Sequence, residues 1–147
     1  MKKILLAVDG SETSLKAAEQ AKKLAQAFGS EIVILSVAHE PELHIFTEGA
    51  FLPDIKEEQA KILKARIIAC EKLAKSIAEE NVEKGIKVDY KVREGRPSDE
   101  IIKEADQEPY DLIILGSRGL TGVKRFVLGT VSGKVANNSI CSVMIVK

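Results

Sequence analysis

An open, doubly wound α/β fold, a mostly parallel five-stranded sheet with helices on both faces, is predicted by three features of the sequence. Short aliphatic runs without polar alternation mark strands covered on both sides. Between them lie stretches with apolar residues every three or four positions, the spacing of amphipathic helices. Glycine and Asp-Gly turn signals stand at the junctions. Strands and helices alternating as βαβαβαβαβ close only as a parallel sheet, because each crossover returns the chain to the same end. A chain of 147 residues has the usual size of one domain, so one domain over residues 1–147 is expected.

Ile4 to Val8 is the first aliphatic run, and Asp9-Gly10-Ser11 supplies turn chemistry directly after it. From Thr13 to Phe28, Leu15, Ala18, Ala21, Leu24, Ala25 and Phe28 recur at helical spacing, with Gly29 as stop signal. Ile32 to Val37 reads as a second central strand, interrupted only by Ser36. His39 to Pro53 has no clear period and carries two prolines and Gly49, so it reads as a loop. Asp54 precedes a long helical pattern to about Glu83, whose stripe is Ala60, Leu63, Ile67, Cys70, Leu73, Ala74 and Ile77; Gly85 closes it.

Ile86, Val88, Tyr90 and Val92 alternate with Lys87, Asp89 and Lys91, the pattern of a half-exposed strand near a sheet edge. Gly95-Arg96-Pro97 turns into a short helix through Ala105, with Pro97 suited to its first turn. Leu112 to Leu115 is a third buried strand, followed by the glycine-bearing stretch Gly116 to Gly122. A helix from near Gly129 to about Asn137 and a strand from Val143 to Val146 complete the order.

Composition narrows the function classes. The chain is 45% hydrophobic and 30% charged, ordinary globular material, and its 22 basic residues balance 22 acidic ones. With zero net charge, nothing global steers it to nucleic acid or to an anionic membrane. Cys70 and Cys141 lie far apart, outside any CxxC or His/Cys cluster, which suggests reduced thiols and a cytoplasmic location. After Met1-Lys2-Lys3, Asp9 ends the apolar run too early for a signal peptide or a membrane span.

Doubly wound sheets bind ligands beyond the carboxyl ends of their strands, where the strand order reverses. The candidate segments are therefore Asp9–Ser11, Val37–His39, Val92–Arg96 and Gly116–Ser132. The stretch GSRGLTGVKRFVLGTVS puts Gly116 and Gly119 after a strand and Gly129-Thr130 at the start of a helix. A phosphate chain needs this combination: small residues that let backbone N–H groups converge, then a helix N-terminus with unpaired donors. Thr130 and Ser132 add hydroxyls. The plainer alternative is that the glycines supply turn geometry and Thr130 caps a helix. The pattern is neither a P-loop nor a dinucleotide fingerprint. Asp9, at the end of the first strand, suits ribose hydroxyls or a divalent ion beside phosphates, or it stabilises its own loop.

Gly116, two residues, Gly119, nine residues, Gly129 and Thr130 together resemble the motif of the universal stress protein family in its ATP-binding branch. The resemblance spans the chain, from ILLAVDGS at Ile4–Ser11, through Gly95-x-Pro97 and DLIILGSRG at Asp111–Gly119, to the last strand. It implies an adenine nucleotide alpha hydrolase-like, Rossmann-like sheet in the order 3-2-1-4-5. It also implies ATP as ligand with Mg²⁺ or Mn²⁺. The backbone of Ala7, Val8 and Asp9 would meet the nucleoside, with the Asp9 carboxylate near ribose or metal. Val37 would meet adenine through its backbone, Leu115 and Gly116 would line base and sugar, and Gly119, Gly129, Thr130, Val131 and Ser132 would hold the phosphates. Arg118, Lys124 and Arg125 are loop cations that suit phosphate charge, or are simply solvated. The chain has Cys141-Ser142 where the family usually shows Cys-Pro, which frees a backbone N–H at the last strand.

No nucleophile–base pair or paired-carboxylate signature falls at these strand ends, so no catalytic residue is assigned and hydrolysis is expected to be slow or absent. The expected role is stress-response regulation: bound nucleotide shifts the loop between Leu120 and Leu128, and a protein partner reads that surface. The alternatives are a nucleotide-independent interaction protein, or an ATP-hydrolysing or phosphoryl-transfer enzyme with His39–Pro53 as its lid. His39 and His44 have no spacing for a shared metal. The terminal strand Val143–Val146 is a sheet edge needing cover, and the resemblance implies a homodimer joined there.

Overall fold

The computed structural model describes residues 1–41, 52–118 and 128–147. Strands and helices alternate throughout: β1 (Lys3–Val8), α1 (Glu12–Phe28), β2 (Glu31–His39), α2 (Leu52–Glu83), β3 (Val88–Gly95), α3 (Pro97–Gln107), β4 (Leu112–Gly116), α4 (Thr130–Asn138) and β5 (Ser142–Val146). All pairings are parallel, and the sheet order is β3-β2-β1-β4-β5, as expected. β1 lies at the centre, with Leu5 opposite Val33 on one side and Ile113 on the other. Its uninterrupted aliphatic run is buried because helices cover both faces.

Two cores follow from the alternation of side chains across the sheet. Ile4, Leu6, Val8, Ile34 and Ile114 pack with Ala17, Ala21, Ala74 and Ile77 of α1 and α2. Leu5, Ala7, Val33, Leu35, Ile113 and Leu115 pack on the other face with Ile101, Ala105 and Val135 of α3 and α4. Each large aliphatic residue fully buried contributes about 1.5–3 kcal/mol of transfer free energy.

The helices bury less of their expected stripes than periodicity suggests. In α1 the buried face is Thr13, Ser14, Ala17, Ala18, Ala21 and Ala25, whereas Leu15 and Phe28 are 45% and 61% exposed. A face of small residues lets α1 lie close to β1 and β4, and the larger residues are left at the rim. Helix α2 begins at Leu52, two residues before Asp54, with Pro53 in a first turn where its missing N–H costs nothing. Its 32 residues span about 48 Å at ~1.5 Å per residue, more than the sheet's depth. Only its second half is buried, through Ala74, Ile77 and Ala78. Ala60 is exposed, and Leu63, Ile67 and Cys70 are half-buried, so Cys70 is not a core residue.

β3 starts at Val88, not Ile86, because the Ile86 N–H bonds to Asn81 O and closes the end of α2. β2 runs on to His39, paired only with β3 past Ser36. Both β3 and β5 are edge strands, as their patterns indicated.

Helix α3 is anchored by a buried carboxylate. Glu104, fully buried, accepts from Lys91 Nζ at 2.7 Å and Tyr110 Oη at 2.8 Å and pairs with Arg93. Burial opposes its ionisation, but these donors overcome that and hold its pKa below the usual range. Burial, with the Glu104 charge, pushes the Tyr110 hydroxyl well up. Glu108, hydrogen-bonded by Lys3 and Lys91, is lowered to about 2.

Candidate functional site

Beyond the C-terminal ends of β1, β2 and β4, where the strand order reverses, the chain leaves a cleft bounded by the first turns of α1, α3 and α4. The structure brings Ala7, Val8, Asp9, Val37, Leu115, Gly116, Arg118, Gly129, Thr130, Val131 and Ser132 to its lining. Gly119, Lys124, Arg125 and His44 lie outside the described residues, as does most of the Leu120–Leu128 loop and of the His39–Pro53 segment. His39, at the exposed end of β2, takes no part in the cleft.

One end of the cleft is apolar and the other is rich in backbone donors. Leu35, Val37, Pro97, Ile101 and Leu115 form the apolar part. Leu35 and Ile101 were not singled out from the sequence, although Leu35 shares the face of Val37 two residues on, and Ile101 lies one helical turn beyond Pro97. Pairing between β1 and β2 stops at Val8 and Ser36. Glu31 N–H points to Lys2, just before β1, and Ile32 N–H to Lys87, just before β3. Alternation then turns the Val37 carbonyl towards β1, into the gap left where that strand has ended.

The donor-rich part is the start of α4. Its N-cap, Gly129, has no side chain to cap the helix. The Gly129 N–H is bonded to Ser117 O at 2.9 Å, and the first intrahelical bond is Gly133 N–H to Gly129 O. The N–H groups of Thr130, Val131 and Ser132 have no partner among the described residues. With the helix dipole they form an anion-binding end. The Ser132 hydroxyl is not an additional free donor: it lies 3.2 Å from Ser117 O and 3.1 Å from Gly129 O, and its proton serves the fold.

The glycines have different reasons. A Cβ on Gly116 would sit 2.5 Å from Thr13 Oγ1 and 2.6 Å from Ser14 N, so this residue is small because α1 rests on it. A Cβ on Gly129 would meet Ser117 O at 3.0 Å. Gly116 therefore shapes the cleft by letting α1 approach, and Gly129 by leaving α4 uncapped.

Arg118 and Asp9 are the two charged residues of the described lining. The Arg118 backbone is clamped to α1: its carbonyl accepts from Ser11 Oγ at 3.1 Å and Thr13 Oγ1 at 2.9 Å. The Thr13 hydroxyl also accepts the Arg118 N–H at 3.3 Å. This clamp was not legible, because the residues lie more than a hundred positions apart. Lys16, and more weakly Arg118, hold the Glu12 carboxyl below its ordinary pKa. Asp9 is exposed, and its Oδ1 accepts the Ser11 N–H at 2.9 Å, the loop-stabilising role; the second carboxylate oxygen has no partner among the described residues.

Ser117 stands apart. It is 4% exposed, lines the cleft, and its hydroxyl has no hydrogen-bond partner among the described residues. A buried unpaired hydroxyl costs about 1–3 kcal/mol.

Among the described residues no group of three or more His, Cys, Asp or Glu converges, and no helix is long and apolar enough to cross a membrane.

Known proteins resemble this chain in sequence and fold. The profile of the Universal stress protein family matches residues 1–147. A universal stress protein of Methanocaldococcus jannaschii, MJ0531, is 35% identical over 147 residues, covering 99% of this chain and 82% of its own. The solved structure of MJ0577 superposes with a TM-score of 0.85 at 30% identity, covering 99% of this chain and 95% of the other. A universal stress protein solved in complex with cAMP superposes with a TM-score of 0.68 at 26% identity, over 99% of this chain and 97% of its own. With a family match over residues 1–147 and relatives alike in sequence and fold over nearly all of it, this chain belongs to the universal stress protein family.

Proposed function

We propose that this chain is an ATP-binding regulator of the stress response, of the branch whose motif Gly116, Gly119, Gly129 and Thr130 carry. The observation that supports this most is the uncapped start of α4, whose N–H groups, without partners among the described residues, open on the same cleft as an apolar slot. In this reading adenine occupies the slot of Leu35, Val37, Ile101 and Leu115, and its amino group meets the Val37 carbonyl. Ribose lies by Asp9, and the phosphates lie on Gly119, Gly129 and the N–H groups of Thr130, Val131 and Ser132, with Arg118 beside them. The cAMP complex of a relative supports an adenine nucleotide as the ligand class.

The residues present suit a divalent ion held mainly by phosphate. Asp9 offers one carboxylate oxygen not used by its own loop, and no second acidic ligand converges among the described residues. Bound Mg²⁺ or Mn²⁺ would neutralise phosphate charge. No described lining residue is suited to act as general base, so turnover is slow or absent and the nucleotide acts by occupancy, read by a protein partner. The half-buried edge strand β5 fits a homodimer paired along Val143–Val146.

The test is to purify the protein without added nucleotide, denature it, and identify released small molecules by mass spectrometry. Mg-ATP is then titrated into stripped protein and into a Gly129→Val, Thr130→Val double variant. Near-stoichiometric ATP, or micromolar binding lost in the double variant, is the expected result. Absence of adenine nucleotide and of saturable binding up to millimolar Mg-ATP would remove the proposal and move the weight to a nucleotide-free interaction role at β5.

A further inference from the structure

We infer that Ser117 is a further ligand-binding residue, whose hydroxyl donates to a phosphate oxygen of the nucleotide held at the start of α4. The inference rests on the nucleotide reading above and adds a side chain to that site.

The Ser117 backbone is held from both sides. Its N–H donates to Val146 O at 2.7 Å, at the end of the edge strand. Its carbonyl accepts the Gly129 N–H at 2.9 Å and lies 3.2 Å from Ser132 Oγ. A residue fixed in this way has no freedom to move its hydroxyl except by rotation about one bond.

The other buried hydroxyls beside the cleft have work within the fold. Ser11 and Thr13 clamp Arg118, Ser14 donates to Ser11 O, and Ser132 serves the α4 turn. Among the described residues Ser117 Oγ has none, and the other unpaired buried side-chain atom there, Asn81 Oδ1, lies on α2 away from the cleft. Native folds rarely leave such a group without a partner, and a ligand in the cleft would supply one.

Its neighbours say which part of the ligand. Through its carbonyl, Ser117 is bonded to the N-cap of the helix whose N–H groups converge on an anion. A serine side chain has three staggered positions, and at a cleft-lining residue a change of χ1 brings the hydroxyl to an acceptor there. A phosphate oxygen is the strongest acceptor such a donor can find.

The experiment is calorimetric titration of Mg-ATP, AMP and adenosine into the wild-type chain and Ser117→Ala, with thermal unfolding of both proteins free of ligand. Affinity for ATP and AMP is expected to fall about 10-fold to 100-fold. Adenosine should bind both proteins alike, and the ligand-free variant should unfold at the same temperature or higher, since an unpaired group has been removed. Unchanged ATP affinity overturns the inference and leaves the nucleotide reading standing. An equal loss for adenosine also overturns it, because the hydroxyl then serves the nucleoside. Failure of the wild-type chain to bind any of the three ligands removes the nucleotide reading and this inference with it. Should Ser117→Ala not fold, Ser117→Cys, of similar size and a weak donor, must show the same selective loss, and wild-type affinity in that variant overturns the inference.

Discussion

Helices α1 and α4 both start at the C-terminal edge of the sheet, on either side of β4, and their first turns are finished in opposite ways. At α1 the N-cap Ser11 accepts the Ser14 N–H with its hydroxyl and donates to Arg118 O. At α4 the N-cap is Gly129, which caps nothing, and the following N–H groups remain free among the described residues. Helix α3, at the same edge, answers its dipole with Asp99 and Glu100 in its own first turn. One helix start is spent on holding the loop in place, one is neutralised by its own acids, and one is left bare facing a cleft. An anion site is made as much by withholding a cap as by supplying donors.

The largest effect is expected at Gly116, where α1 rests on the sheet. Gly116→Val is expected to destabilise by about 3 kcal/mol, read by urea denaturation, because the backbone atoms of Thr13 and Ser14 cannot give way. A variant of wild-type stability would show that α1 does not need this approach. Next in size, Gly129→Asp supplies α4 with a cap and a negative charge. ATP affinity is expected to drop about 100-fold, roughly 2.7 kcal/mol, while stability moves by about 1 kcal/mol or less; undiminished binding would place the phosphates elsewhere. Removing the cap of α1 is the converse change. Ser11→Ala should cost about 1 kcal/mol in the same denaturation assay, by the loss of one cap and one bond to Arg118.

The smallest effect sharpens the case of α3. Lys134 Nζ, 2.6 Å from Asp99 Oδ1, holds the Asp99 carboxyl below its ordinary pKa. A depressed pKa means that this contribution to stability is present above pH 3.8 and is lost as pH falls through the lower, folded value. Lys134→Met should therefore raise the Asp99 pKa towards 3.8 in an NMR titration. An unmoved titration would mean that α3's own dipole, and not Lys134, is the cause.

Much of this arrangement was legible from residue types and their periods. The aliphatic runs at Ile4–Val8 and Leu112–Leu115 became central strands, and the loops after them became the cleft. The expected apolar face of α1 was less well read, since Leu15 and Phe28 are exposed while Thr13 and Ser14 are buried. Helical spacing reports that a face exists, but its exact centre depends on how closely the helix approaches the sheet. Most cleft residues were implied by the family resemblance, and the spacing motif itself marked only the glycines with Thr130 and Ser132, yet the reasons differ: Gly116 is small for α1, and the Ser132 hydroxyl is used within its own turn. The clamp of Thr13 on Arg118, and the unpaired Ser117 hydroxyl, left no trace in any local pattern.

Taken alone, the sequence determined the kind and order of the elements, the parallel sheet they must form, and the strand ends where a ligand site belongs. These follow from the 2.0 and 3.6 residue periods and from turn chemistry, which act between neighbours along the chain. Only the tertiary structure decided which helix starts are capped, how far β2 outruns β1 beside Val37, and which buried hydroxyl lacks a partner. Those outcomes depend on distances between segments far apart in sequence, where a hydrogen bond is made or missed within a few tenths of an ångström.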